Sequence, residues 1–157
     1  MNNTTKLIIS IIVPVAIGAS SSFFTAAGVN DWYLTIQKPS FNPPNWIFAP
    51  VWTALYILMG VGLYFIWQKP EGTPYRSAAI TIFIIQLTLN FFWSFLFFKA
   101  QQPGYALAEI AVLWISILLM IIYFAKVKPI AGYLQIPYLC WVSFATILNY
   151  SIWQLNR

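Results

Sequence analysis

Five long runs of apolar residues dominate the chain, separated by short stretches of charge, glycine and proline. Each run is close to the ~20 apolar residues that a helix needs to cross a bilayer, because a helix rises ~1.5 Å per residue. The runs are unbroken rather than alternating, which favours helices over the strands of a barrel. The pattern predicts an all-α membrane protein, a five-transmembrane-helix bundle forming one domain over residues 1–157, with spans at about 7–28, 46–67, 78–98, 105–125 and 130–155.

The connection between the first two spans, residues 29–45, is longer than most links between helices. It carries large apolar side chains and three prolines, at positions 39, 43 and 44. A segment of this composition is too apolar and too stiff to be typical of disorder. We interpret it as a packed lid over a pocket.

Composition agrees with a membrane protein. The chain is 61% hydrophobic and 7% charged, whereas soluble domains carry roughly 25% charged residues. The net charge of +5 comes from single, scattered lysines and arginines. Such residues mark helix ends and orientation more often than a nucleic-acid surface, so we expect no nucleic-acid partner.

Missing residue types exclude several kinds of site. There is no His, and Cys140 is the only Cys. Disulfides within the chain, the usual zinc and haem ligand sets, and Ser–His or Cys–His dyads are therefore excluded. We expect no metal, no cofactor and no conventional catalytic group.

Lysine and arginine counts suggest an orientation. Five spans place the termini on opposite sides, and the N-terminal side holds the larger number of cations. These are Lys6, Lys69, Arg76, Lys126 and Lys128, against Lys38, Lys99 and Arg157 on the other side. The imbalance predicts a cytoplasmic N-terminus, in a bacterial inner membrane. The first apolar run is too long for a signal peptide and is interpreted as the first helix.

Polar residues form a stripe in the third span. Gln86, Asn90 and Ser94 recur every fourth residue and so share one helix face. An amide facing lipid is unfavourable, so the stripe should point into the bundle. Hydrogen bonds between helices and a ligand-lining role explain it equally well.

Aromatic residues flank small ones on the faces of three spans, which is the composition of a slot for a flat apolar ligand. The alternative is an interfacial belt, because Trp and Tyr collect at bilayer surfaces. The faces are Ala49, Trp52 and Tyr56 in the second span, Tyr105, Ala108 and Val112 in the fourth, and Tyr138, Trp141, Ala145, Leu148 and Asn149 in the fifth. Trp52, Trp93 and Trp141 lie too deep for a belt.

Glu109 is the only acidic residue within a span. An interfacial or helix-capping carboxylate is one interpretation, since acids suit the first turns of a helix. The other is a proton-coupling group of a secondary transporter, for which the sequence offers no obvious partner.

These residues together resemble the TspO/MBR family of tryptophan-rich sensory and translocator proteins, also called peripheral benzodiazepine receptors. The resemblance extends from the first helix to the last residues. Its motifs are Trp32-Tyr33 through Lys38-Pro39 to Pro43-Pro44, Ala49-Pro50-Val51-Trp52 with Leu55-Tyr56, Gln86-Leu87 and Leu89-Asn90 with Trp93, and Pro137-Tyr138-Leu139 through Trp141 and Asn149 to Trp153.

The resemblance implies a homodimeric receptor or transporter that binds protoporphyrin IX, other tetrapyrroles or sterols in a pocket under the first loop. The implied ligand-binding positions are Trp32, Ala49, Trp52, Asn90, Trp93, Tyr105, Ala108, Tyr138, Trp141, Ala145 and Leu148. It also implies two alternatives, a light-dependent porphyrin-degrading enzyme acting through Trp52 and Trp141, and a regulatory protein that binds sterols or lipids.

The sequence departs from the family pattern in three respects. Tyr105 stands where many animal members have Trp, which keeps an aromatic wall. The cholesterol-recognition pattern needs a cation within about five residues after its Tyr, but Tyr150 is followed by Gln154 and only then by Arg157. Thr81 and Ile85 replace a small-residue packing motif of some relatives, so we expect a different dimer interface.

Overall fold

The computed structural model describes residues 1–157, and five of its helices are long and apolar enough to cross a membrane. The prediction of a five-helix membrane bundle is thus confirmed. The elements are α1 (Asn3–Val29), α2 (Trp32–Thr35), a 3-10 turn (Asn45–Ile47), α3 (Phe48–Trp67), α4 (Arg76–Ser94) with a π-helical extension (Phe95–Lys99), α5 (Pro103–Val127), α6 (Pro129–Tyr133) and α7 (Ile136–Leu155).

Local chemistry explains several of these boundaries. The Asn2 side chain accepts a hydrogen bond from the Thr5 amide at 2.8 Å and so begins α1 four residues before the apolar run. Prolines occupy the first turns of α5, α6 and α7, where their missing N–H groups cost no helical bond. The last apolar run is split between α6 and α7, where the Gln135 side chain donates to the Leu58 carbonyl of α3 at 3.0 Å.

Close backbone approach joins α1 to α3. Pro14 lies inside α1 and has no N–H for the Ser10 carbonyl. Gly60 of α3 packs against this same turn, where an added Cβ would lie 2.6 Å from Ile11 Cα and 2.7 Å from Ser10 O. Gly18 likewise accommodates the Tyr56 ring. The two helices therefore meet through glycine on both sides.

Around the bundle the helices follow the order α1, α3, α7, α5, α4, and α4 returns to α1. The Phe83 and Phe124 rings stack between α4 and α5 with centroids 6.2 Å apart. Trp114 Nε1 donates to Ser143 Oγ at 2.8 Å between α5 and α7. These contacts leave a largely apolar interior that also contains a few buried polar side chains, among them Gln86, Asn90 and Asn149.

The loop between α1 and α3 is folded onto the bundle. The Tyr33 hydroxyl donates to Asn42 Oδ1 at 2.6 Å, and Lys38 Nζ donates to the Tyr33 carbonyl at 2.6 Å. Asn156, just after α7, accepts from the Gln37 amide at 2.9 Å and donates to the Gln37 carbonyl at 2.8 Å. The loop is thus fixed to the last helix by a reciprocal amide pair.

Candidate functional site

A buried chain of hydrogen bonds crosses the middle of the bundle. The Tyr56 hydroxyl donates to Asn90 Oδ1 at 2.5 Å, and Asn90 Nδ2 donates to the Tyr138 hydroxyl at 2.9 Å. Tyr138 then donates to Gln86 Oε1 at 2.8 Å. The chain joins α3, α4 and α7, and both functional ends of the Asn90 amide are occupied. Of the two interpretations of the amide stripe, bonding between helices accounts for Gln86 and Asn90.

A small cavity, here the inner cavity, lies between this network and the loop. Its volume is about 20 Å³, room for about one water molecule. Its walls are almost entirely aromatic or aliphatic and come from the loop and from α3, α4, its π-helical extension and α7. They comprise Tyr33, Phe48, Trp52, Trp93, Phe97, Phe98, Trp141, Phe144, Ala145, Leu148 and Asn149.

A much larger space, here the lateral groove, opens between α1 and α3. Its volume is about 650 Å³, within the ~300–1,000 Å³ typical of small-molecule sites. α1 contributes Val15, Gly18, Ala19, Ser21, Ser22, Thr25, Ala26 and Val29, followed by Asn30. The opposite side consists of Asn45, Trp46, Phe48, Ala49, Trp52, Thr53 and Tyr56, and α4 with its extension adds Trp93, Ser94 and Phe98.

Aromatic side chains form the partition between the two spaces. Phe48, Trp52, Trp93 and Phe98 line both of them. The Trp52 and Trp93 rings lie 6.4 Å apart and are tilted by 33°, and Trp52 stacks on Tyr56 at 5.7 Å. The lateral groove is therefore separated from the inner cavity by one layer of rings.

The structure brings together five of the predicted site residues and places others near them. Trp52, Trp93, Trp141, Ala145 and Leu148 line the inner cavity, and Ala49 lines the lateral groove. The remaining three inward positions form supports. Asn90 and Tyr138 belong to the buried network, and Trp32 packs edge-on against Phe97 at 5.7 Å.

Tyr105 and Ala108 are not part of this assembly. Tyr105 is 70% exposed, and Ala108 and Val112 are exposed on the same outer face of α5. The inward face of that helix carries Ala106, Ile110 and Leu113 instead. The face of the fourth span that we predicted to line a slot therefore points toward lipid. The prediction was made from a pattern of aromatic and small residues, and such a pattern does not distinguish the inward from the outward face of an apolar helix.

Sequence reasoning missed the contribution of α1. Its groove-lining residues are spaced by three and four and are mostly small or hydroxylic. From the sequence, Gly18 and Ser22 were recognised only as a possible packing pair. The same helix face continues through Thr25, Ala26 and Val29, and this longer stripe could have identified α1 as a wall of the groove. Tyr33 was also missed as a wall of the inner cavity.

Two buried polar groups near the loop end of the bundle have no partner in the chain. Both carboxyl oxygens of Glu109 are buried without a hydrogen bond, and so is Trp141 Nε1. Glu109 itself is half-buried in α5, with its carboxyl group turned away from solvent. Trp141 offers an unused donor in the wall of the inner cavity.

The long apolar helices define an integral multi-pass membrane protein, and the groove and inner cavity give it space for a small molecule. A family model described as the TspO/MBR family matches residues 10–154, and the chain belongs to this family. It is 45% identical to the tryptophan-rich protein TspO of Archaeoglobus fulgidus over 154 residues, 98% of this chain and 99% of the relative.

Other relatives agree over most of the chain. The tryptophan-rich protein TspO of Chlorobaculum tepidum is 45% identical over 146 residues, 90% of each chain. The translocator protein of Homo sapiens is 37% identical over 127 residues, 80% of this chain and 75% of the human protein. Family membership supports the class of membrane receptors and transporters.

Proposed function

We propose that this protein is a membrane receptor or transporter for a flat apolar tetrapyrrole such as protoporphyrin IX, held in the lateral groove. The observation that carries the proposal is the difference between the two spaces, about 650 Å³ in the groove and about 20 Å³ in the inner cavity. Of these two spaces, only the groove has room for a macrocycle without a change of structure.

The walls of the groove suit a planar ligand. Trp46 and Trp52 offer aromatic faces for stacking, which stabilises a ring pair by ~0.5–1.5 kcal/mol beyond its buried area. On the opposite wall, Ala19 and Ala26 have small side chains, so a macrocycle can lie close to the α1 backbone. The groove is thus a slot between rings and small residues.

Polar groups are placed around the rim of this slot. Thr25 and Thr53 contribute hydroxyls, and Asn30 and Asn45 contribute amides near the loop. A metal-free tetrapyrrole presents ring N–H groups and carboxylates, which such groups can bind. The absence of His in the chain suits a porphyrin held by stacking and hydrogen bonds rather than through an axial metal ligand.

Two adjacent alanines in α1 provide a matched test. Ala26 lines the groove and Ala27 does not, and both are exposed. Protoporphyrin IX is titrated into detergent-solubilised protein while tryptophan fluorescence is followed. We expect saturable quenching for the unmodified protein and Ala27→Phe, and at least a tenfold weaker affinity for Ala26→Phe, because the added ring fills the slot. Equal quenching of both variants would overturn the groove as the binding site.

A second candidate function is light-dependent breakdown of the bound porphyrin. The observation favouring it is the position of Trp52, whose readily oxidised indole lines the groove, whereas Trp141 lines only the inner cavity. Illuminating the complex in air should bleach the Soret band faster than in free porphyrin. Trp52→Phe should slow the bleaching and Trp141→Phe should not. Bleaching equal to that of free porphyrin would exclude this activity.

A further inference from the structure

Five cations collect at the end of the bundle opposite the loop. Lys6 lies in the first turn of α1, Lys69 follows α3, Arg76 begins α4, and Lys126 and Lys128 lie at the end of α5. Glu71 is the only acidic residue in the same end segments. We call this surface the basic end.

Two of these cations converge on one atom. Lys6 Nζ and Arg76 Nη2 both donate to the Trp67 carbonyl, at 3.5 and 3.4 Å. This carbonyl is among the last of α3, where the helix dipole attracts positive charge. The two long hydrogen bonds to one neutral oxygen leave both charges uncompensated, and Arg76 Nε is buried with no acceptor at all.

Aromatic rings hold two further cations beside this pair. Lys126 Nζ lies 4.6 Å from the Tyr75 ring centroid and 5.4 Å from that of Tyr123, and the two rings are 5.9 Å apart. Lys128 Nζ lies 4.4 Å from the Phe65 centroid. Tyr75 directly precedes Arg76 and has a positive φ of 65°, a sparsely populated conformation for a bulky residue. The charges are therefore held in place by neutral groups rather than by carboxylates.

From this convergence we propose that the basic end binds the phosphate of an anionic phospholipid headgroup, with Arg76 and Lys126 as its principal contacts and Lys6 beside them. The ends of α3, α4 and α5 place this surface at the level of the headgroups, where phosphate is always present. A guanidinium pairs with phosphate through two parallel hydrogen bonds. Basic surfaces between transmembrane helices bind anionic headgroups for the same reason.

The site differs from a general attraction between cations and an anionic bilayer. A diffuse attraction depends only on total charge and is screened by salt. Binding at a defined site, in contrast, weakens only when a cation that contacts the headgroup is removed. Lys69 lies at the same end and carries the same charge as Arg76, but its ammonium group does not bind the Trp67 carbonyl and lies over no aromatic ring. It is the matched control.

The test is native mass spectrometry and thermal unfolding of the full chain in detergent, with phosphatidylglycerol, phosphatidylcholine or inorganic phosphate added at equal concentration. We expect retained phosphatidylglycerol and a raised Tm for the unmodified protein, no effect of phosphatidylcholine, and little effect of inorganic phosphate. Arg76→Gln and Lys126→Gln should each weaken phosphatidylglycerol binding about tenfold, the loss of one charge-assisted contact. Lys69→Gln should bind as the unmodified protein does.

Each alternative result overturns the proposal. If Lys69→Gln weakens phosphatidylglycerol binding as much as Arg76→Gln does, the attraction is diffuse. If phosphatidylcholine is retained and raises the Tm as much as phosphatidylglycerol does, the surface does not select a charged headgroup. If inorganic phosphate raises the Tm as much as phosphatidylglycerol does, the site binds a free anion. If Arg76→Gln does not fold, Lys126→Gln decides alone. Protoporphyrin quenching should be unchanged in these variants, because the lateral groove contains none of the five cations.

Discussion

The buried network gives the sharpest stability prediction, through the change Tyr138→Phe. The substitution removes one oxygen and leaves the ring, with its edge contact to Trp52 at 6.3 Å, in place. Asn90 Nδ2 then loses its acceptor and Gln86 Oε1 loses its donor, and neither residue is more than 1% exposed. Interhelical hydrogen bonds in membranes average ~0.6 kcal/mol, whereas an unpaired buried group in a soluble core costs ~1–3 kcal/mol. For two bonds we expect a loss of about 2 kcal/mol.

Equilibrium unfolding in mixed micelles of mild detergent and dodecyl sulfate measures this loss. The matched control is Tyr105→Phe, because Tyr105 is 70% exposed and its hydroxyl makes no hydrogen bond within the chain. The control should change the free energy of unfolding by less than ~0.5 kcal/mol. If Tyr138→Phe were as stable as the control, the network would contribute nothing to stability, and the reasoning would be refuted.

Three further changes probe other parts of the structure. Gly60→Ala should lower the free energy of unfolding by ~1–3 kcal/mol, because the added Cβ would clash with the backbone of α1. Gly104→Ala should cost less, because its Cβ would contact only the Trp153 ring, whose nearest atom is 3.0 Å away. A larger loss for Gly104→Ala than for Gly60→Ala would contradict the packing of α1 on α3. Glu109→Gln should retain or increase the free energy of unfolding, because no donor compensates a charge on either carboxyl oxygen. A large loss of stability would reveal a hydrogen-bond partner for the carboxylate. Substrate uptake that is unchanged in this variant would argue against proton coupling through Glu109. Asn156→Ala should speed hydrogen exchange of the Gln37 amide, which loses its acceptor; unchanged exchange would mean that the loop is fixed by other contacts.

The five helices could be predicted because lipid imposes a length and a composition on each of them. The residues at which the helices begin and end were harder to predict. The Asn2 cap lengthens α1, and the Gln135 side chain occupies the break between α6 and α7. Both depend on a single side chain rather than on the average of an apolar run.

The inward faces were predicted where polar groups marked them and missed where they did not. Gln86 and Asn90 identified the interior face of α4, because an amide in lipid is unfavourable. The outward positions of Tyr105 and Ala108 and the groove-lining face of α1 carry no such signal. The sizes of the two spaces could not be predicted from the sequence either, since the same aromatic residues line both the inner cavity of about 20 Å³ and the lateral groove of about 650 Å³.

Protection of an introduced thiol by protoporphyrin IX tests the lateral groove most directly. Ala26→Cys and Ala27→Cys are prepared separately in a Cys140→Ser background, which removes the only native thiol. The rate of alkylation by N-ethylmaleimide is measured with and without ligand. At a ligand concentration ten times Kd, alkylation of Ala26→Cys should slow about tenfold, by mass action, while that of Ala27→Cys stays unchanged. Equal rates with and without bound ligand at Ala26→Cys would contradict binding in the groove.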